Sequence, residues 1–162
     1  MKPADVSTPS DREVLVKRSF DAPVKLVWRA YTEPELMRRW MLGPPGWSMP
    51  VCEMDLRVGG KYRWRWRSDE NGQEFGFFGE YQEVVPLSKI VHTEYFDPGD
   101  IGGSMGEKPA VVTVTFEEVN GVTEMATCVM YASQADRDMA LSTGMTDGME
   151  MSYKLLDEVL AA

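Results

Sequence analysis

The chain carries a single histidine, His92, in the stretch KIVHTEYFD, with Glu94 two positions further on. Side chains alternate across an extended strand, so these two share a face. An imidazole beside a carboxylate is the arrangement of a general base with an orienting acid. His92 and Glu94 are therefore the candidate catalytic residues, although no nucleophile or oxyanion-binding motif accompanies them, and a structural histidine is the competing reading. Glu53 and Asp55 also share a face, but Asp55 opens the turn DLRVGG, where a carboxylate beside Arg57 serves to hold the turn. One histidine excludes multi-histidine metal sites. The two cysteines, Cys52 and Cys128, belong to no C-x-x-C pair and signal neither a zinc site nor a disulfide framework. No metal and no cofactor is expected.

The second constellation is KYRWRWR, residues 61–67. Strand parity puts Tyr62, Trp64 and Trp66 on one face and Lys61, Arg63, Arg65 and Arg67 on the other. Taken alone the cationic row suits a polyanion. The whole chain, however, sets 17 Lys and Arg against 26 Asp and Glu, a net charge of −9 that opposes nucleic acid and anionic lipid. The row is read as a solvated face that discourages edge pairing. The aromatic row is expected to look inward, towards Phe75, Phe77 and Tyr81 of the next strand and Val112, Val114 and Phe116 beyond it. Its tryptophans and tyrosine bring N–H and O–H groups that need partners, a need met by a cavity with some polar contents. The 12 methionines add a repackable surface suited to ligands of varied shape. The ligand expected from this reading is small and apolar or aromatic, oriented by a few polar groups.

The elements that must position these residues follow from period and punctuation. Residues 1–11, MKPADVSTPSD, show no hydrophobic period and read as a disordered tail, leaving residues 12–162 as one domain. REVLVKRSF alternates as a first strand, and Asp21-Ala22-Pro23 starts a helix with Val24, Val27, Trp28 and Tyr31 on one face. A second short helix opens at Glu33-Pro34, carries Trp40 and ends at Gly43-Pro44-Pro45-Gly46. From Trp47 to Tyr131 six strands alternate with mostly hairpin-length turns and predict an antiparallel meander. The long connection at 97–109 is a candidate gate to the interior. Ser133 caps the C-terminal helical segment, in which Met145, Met149, Tyr153, Leu156 and Leu160 form one stripe. Gly144 and Gly148 beside that stripe are expected to permit close approach to the sheet rather than a bend.

In order and spacing, REVLVKRSFDAPVKLVWRAYTEPELMRRW, MDLRVGGKYRWRW, EYQEVVPLSKIVHTEYF, VTVTFEEVNGVTEM and GMTDGMEMSYKLLDEVL resemble the domain family named for the activator of the 90-kDa heat-shock protein ATPase. The more specific pieces are Ala22-Pro23, Thr32-Glu33-Pro34, Arg39-Trp40, Asp55-x-Arg57-x-Gly59-Gly60, Lys89-Ile90-Val91 and Gly148-Met149. Lys89 stands where arginine is commoner in that family, and Met149 where many members carry tryptophan. The resemblance implies the START/Bet v 1-like (SRPBCC) superfamily and its α+β helix-grip fold. That fold is a curved antiparallel sheet wrapped around a long C-terminal helix, with two short helices after the first strand. It also implies a cavity between sheet and helix, to which Trp40, Met145, Met149 and Tyr153 would contribute. Members include co-chaperones and cyclase- or hydrolase-type enzymes. Three functions follow as expectations: binding of a small hydrophobic molecule, an enzyme acting on such a molecule with His92 as base, or a chaperone-associated stress-response protein. No apolar run approaches the roughly 18 residues of a membrane span, and no secretory leader is evident, so a cytoplasmic protein without membrane partners is expected. Monomer and homodimer both remain open.

Overall fold

The structure, a computed structural model, describes residues 2–102 and 108–162. Its element order is β1 (Asp5–Ser7), β2 (Glu13–Phe20), α1 (Val24–Thr32), α2 (Pro34–Met37), β3 (Trp47–Met54), β4 (Lys61–Ser68), β5 (Glu74–Val85), β6 (Lys89–Asp97), β7 (Ala110–Val119), β8 (Val122–Met130), α3 (Gln134–Ser142) and α4 (Met145–Ala161). The strands form one eight-stranded sheet in the order β1-β2-β8-β7-β6-β5-β4-β3, every neighbouring pair antiparallel. This is the expected α+β helix-grip arrangement, and α1 and α2 connect strands near opposite ends of the sheet.

Alternation decides which face is covered. Val14, Val16, Arg18 and Phe20 of β2 are buried, as are Val112, Val114 and Phe116 of β7. Their outward neighbours retain solvent. The covered face meets α1 and α4, with Phe20 edge-on to Tyr153 at 5.6 Å and Trp28 edge-on to Phe116 at 5.2 Å. A buried ion cluster fixes α4: Arg18 reaches Glu150 at 3.1 Å and Asp157 at 2.7 Å, its guanidinium lying 5.0 Å from the Phe20 ring centre.

Three expectations change. The segment read as a disordered tail contains β1, whose Asp5–Ser7 pair with Lys17–Leu15 of β2, and Ala4 donates its N–H to Glu150 at 2.8 Å. All three β1 side chains are exposed, so the strand forms through backbone pairing and leaves no hydrophobic period to read. The C-terminal helical segment is two helices. Ser133 does cap the first, accepting from the Asp136 N–H at 3.1 Å, but Gly144 with φ +81 separates it from α4. A Cβ at Gly144 or Gly148 would meet nothing within 4 Å, so a bend at Gly144, not close approach, explains that glycine. Finally, the candidate gate at 97–109 falls partly on residues 103–107, outside the described residues. Its first part folds onto β5, the Asp100 N–H donating to the Glu74 carbonyl at 2.8 Å.

Candidate functional site

β4 divides by parity as expected. Tyr62 and Trp64 are buried, Trp66 is half-buried, and Lys61, Arg63 and Arg67 are exposed. The cationic row is not uniformly free, because Arg65 is half-buried between Glu74 and Asp97, reaching the latter at 2.9 Å. Across the ladder Trp64 stands opposite Phe77 and Trp66 opposite Phe75. Gly79, opposite Tyr62, lets β5 lie against β6: a Cβ there would fall 2.1 Å from the Thr93 carbonyl oxygen. That carbonyl is a focus of the site, accepting from the Tyr62 hydroxyl at 2.5 Å and facing His92 Nδ1 at 2.9 Å.

Because Thr93 offers a carbonyl, His92 Nδ1 must carry the proton, and Nε2 is left as a lone-pair acceptor. His92 is 1% exposed, and its Nε2 has no partner. Burial lowers its proton affinity to about 4, with the Thr93 bond opposing the shift, so the ring is neutral at physiological pH. Two more polar atoms in the same cluster are unpaired, the Trp64 indole N–H and the Tyr81 hydroxyl. The rings are neighbours: Tyr62 lies 4.6 Å from His92 between centres, Trp64 5.8 Å and Tyr81 6.0 Å. Trp40 and Trp66, by contrast, are satisfied, the first by the Ala30 carbonyl at 2.8 Å and the second by the Met41 carbonyl at 2.7 Å. Unpaired buried groups each cost roughly 1–3 kcal/mol. Three occur on neighbouring rings of the buried aromatic cluster: a donor, a donor-acceptor and an acceptor.

Glu94 shares the inner face of β6 with His92 but makes no hydrogen bond to it. The residue is half-buried, and burial raises its carboxyl to about 7. Next to it the sheet remains half-covered: Trp66 stacks on Phe75 at 5.6 Å, and Phe77 meets Phe96 at 5.6 Å, all four retaining some surface. Met145 and Met149 of α4 are likewise only partly covered.

Of the residues expected to line a pocket, Trp66, Phe75, Phe77, Met145 and Met149 therefore keep accessible surface. Tyr62, Trp64, Tyr81, Val112, Val114, Phe116 and Tyr153 are packed behind or beside it, and Trp40 is 1% exposed, closing the space between Tyr31 and Tyr153. Phe96 belongs to the same wall, two positions beyond Glu94 on the inner face of β6. Cys52 offers no nucleophile, since burial raises its thiol to about 11, although Arg38 acts in the opposite sense. Among the described residues no group of three His, Cys, Asp or Glu side chains could hold a metal ion, and no helix is long and apolar enough to cross a membrane.

Comparison with known proteins bears on this arrangement. The family described as Activator of Hsp90 ATPase homolog 1-like protein matches residues 21–161. A crystal structure of a Rhodobacter sphaeroides protein is similar at 28% identity and TM-score 0.89, covering 99% of each chain. A Nitrosomonas europaea protein is 25% identical with TM-score 0.80, over 95% of this chain and 97% of its own. The solution structure of an AHSA1-like protein from Aeromonas hydrophila, 17% identical with TM-score 0.70 over 90% of this chain and 92% of its own, shares the fold. A search of curated protein sequences finds no match.

Proposed function

This chain belongs to the Activator of Hsp90 ATPase homolog 1-like family, and from that premise we propose that it binds a small hydrophobic or aromatic molecule between its curved sheet and α4. The observation that carries this reading is the set of three buried polar atoms without a partner, the Trp64 N–H, the Tyr81 hydroxyl and His92 Nε2, beside half-covered aromatic side chains. A core selected only for stability leaves few such groups. A ligand with an apolar body and one or two polar atoms would cover the aromatic surface and offer those atoms a partner.

A fluorescent apolar probe tests the proposal. Binding quenches or shifts emission from Trp64 and Trp66 and raises the melting temperature, a ligand at 100 times its Kd adding about 2.7 kcal/mol. Unchanged emission and melting across a panel of apolar aromatic compounds would count against it. A second reading is an enzyme of cyclase or hydrolase type acting on the same class of molecule. What favours it is the pair of interior titratable groups, a neutral His92 with a free Nε2 and a Glu94 poised near neutrality. Under that reading His92→Gln abolishes turnover of the bound compound without abolishing its binding.

A further inference from the structure

The outer face of the sheet carries a groove of about 490 Å³, whose lining includes Glu53, Lys61, Arg63, Phe78 and Asp97. Small-molecule sites commonly span about 300–1,000 Å³. Strand register brings these residues together. Glu53 of β3 stands opposite Arg63 of β4, Arg63 opposite Phe78 of β5, and Phe78 opposite Tyr95 of β6, one row across four strands. Phe78 is 42% exposed and Tyr95 38%, and their rings stack at 5.2 Å with planes 11° apart. Tyr95 thus backs Phe78 and holds it as an aromatic wall facing solvent. The charges around that wall are unevenly committed. Asp97 is taken by Arg65 at 2.9 Å, whereas among the described residues Lys61, Arg63 and Glu53 make no ion pair. Glu80, across the ladder from Lys61, lies outside the lining. Two uncommitted cations therefore share the groove with one uncommitted carboxylate.

We infer that this groove is a second binding site, separate from the interior, and that it takes a planar aromatic carboxylate. The ring lies against Phe78, and the carboxylate is held by Arg63 with Lys61 as a second cation. A guanidinium matches a carboxylate through two parallel hydrogen bonds, and an aromatic ring packs on another in an offset stack. The net charge of −9 opposes a polyanion that would span much of the surface, but a single carboxylate meets Arg63 at contact distance. Charges farther away than about 8 Å are largely screened at physiological ionic strength. Parity keeps the two sites apart. Arg63 and Phe78 point outward, whereas Trp64 and Phe77, one residue along, point inward, and no tryptophan lines the groove.

The test uses 2-naphthoate and 2-naphthamide, planar probes of matched shape with and without a charge, titrated calorimetrically against the full chain at neutral pH, where the carboxyl is ionised. In low salt naphthoate is expected to bind about fivefold more tightly than the amide, the upper end for an exposed charge pair. The preference should shrink in about 1 M salt, where screening acts within about 3 Å. Arg63→Gln should bring naphthoate down to the level of the amide. Glu53→Gln should strengthen naphthoate, because it removes the carboxylate across the ladder from Arg63. Phe78→Ser should weaken naphthoate by removing the wall. All three positions are exposed, so each variant should melt close to the wild type. Equal binding of the two probes to the wild-type protein, or a preference that survives Arg63→Gln, would overturn the inference, as would failure of naphthoate to bind. The interior reading is decided separately, by emission from Trp64 and Trp66.

Discussion

His92 and Glu94 stand two residues apart on the inner face of β6, yet no hydrogen bond joins them, because the imidazole Nδ1 is turned onto the Thr93 carbonyl at 2.9 Å. Burial acts on both and drives their proton affinities in opposite directions, the imidazole down to about 4 and the carboxyl up to about 7. In each case the neutral form is favoured.

These shifts impose opposite pH slopes on stability. His92 binds its proton more weakly folded than unfolded, so its contribution is complete above its ordinary 6.5 and is lost as pH falls towards about 4. Glu94 binds its proton more tightly folded, so its contribution is complete below the ordinary 4.5 and is lost as pH rises towards about 7. Between those limits the two offset. Urea unfolding of Glu94→Gln should therefore show stability rising with pH from about 4.5 to 6.5, and His92→Gln should show it falling. Each slope spans at most about 3 kcal/mol at 1.36 kcal/mol per unit, and Glu94 less because it keeps some solvent. Slopes of the same sign in the two variants would contradict this account.

Arg18 should be a strong stability determinant. Its side chain is 2% exposed and shared between Glu150 and Asp157, whereas the Arg57–Asp55 pair has side chains 69% and 54% exposed. Removing one member of a buried cluster leaves uncompensated charge, with a cost of about 3–5 kcal/mol. An exposed pair contributes about 0–1 kcal/mol. Arg18→Ala should lower the urea midpoint markedly and loosen α4, with Arg57→Ala close to wild type.

Gly79→Ala tests the scaffold of the aromatic cluster. The added methyl would fall 2.1 Å from the Thr93 carbonyl oxygen, which is backbone and cannot step aside without parting β5 from β6. A loss of about 1–3 kcal/mol is expected from overpacking alone. The same displacement disturbs the acceptor of Tyr62 and His92, so probe binding should weaken even where the variant still folds.

The inward row Tyr62, Trp64, Trp66 was legible in the sequence because a strand's period of two needs no tertiary information. The shared face of His92 and Glu94 was legible for the same reason. What escaped depends on partners far apart in the chain. Whether the indole of Trp64 is paired, as that of Trp40 is, follows from which carbonyl lies opposite, and no local pattern records that. Gly144 was ambiguous because a glycine beside an apolar stripe serves close approach and a left-handed turn equally well. Only the open space around it distinguishes the two. β1 was invisible because its ordering comes from backbone bonds and from Ala4, which bonds Glu150 and packs against the core, and none of this leaves a hydrophobic period.

The contrast between Trp40 and Trp64 yields the sharpest prediction, since Trp→Phe is the same truncation at two buried sites. At Trp40 the indole N–H serves the Ala30 carbonyl at 2.8 Å. The helical partner of that carbonyl would be residue 34, a proline with no N–H to give. Trp40→Phe therefore strands a carbonyl at the end of α1 besides losing volume. At Trp64 the N–H has no partner, so Trp64→Phe loses similar volume but relieves an unsatisfied donor. The first variant should be less stable than the second by about 2 kcal/mol, the range set by one stranded group and one relieved group. Function should rank them in reverse: Trp64→Phe weakens binding of a polar-tipped aromatic probe, whereas Trp40→Phe affects it only through stability. Equal destabilisation, with equal probe affinity, would mean that the unpaired indole of Trp64 serves neither ligand nor fold.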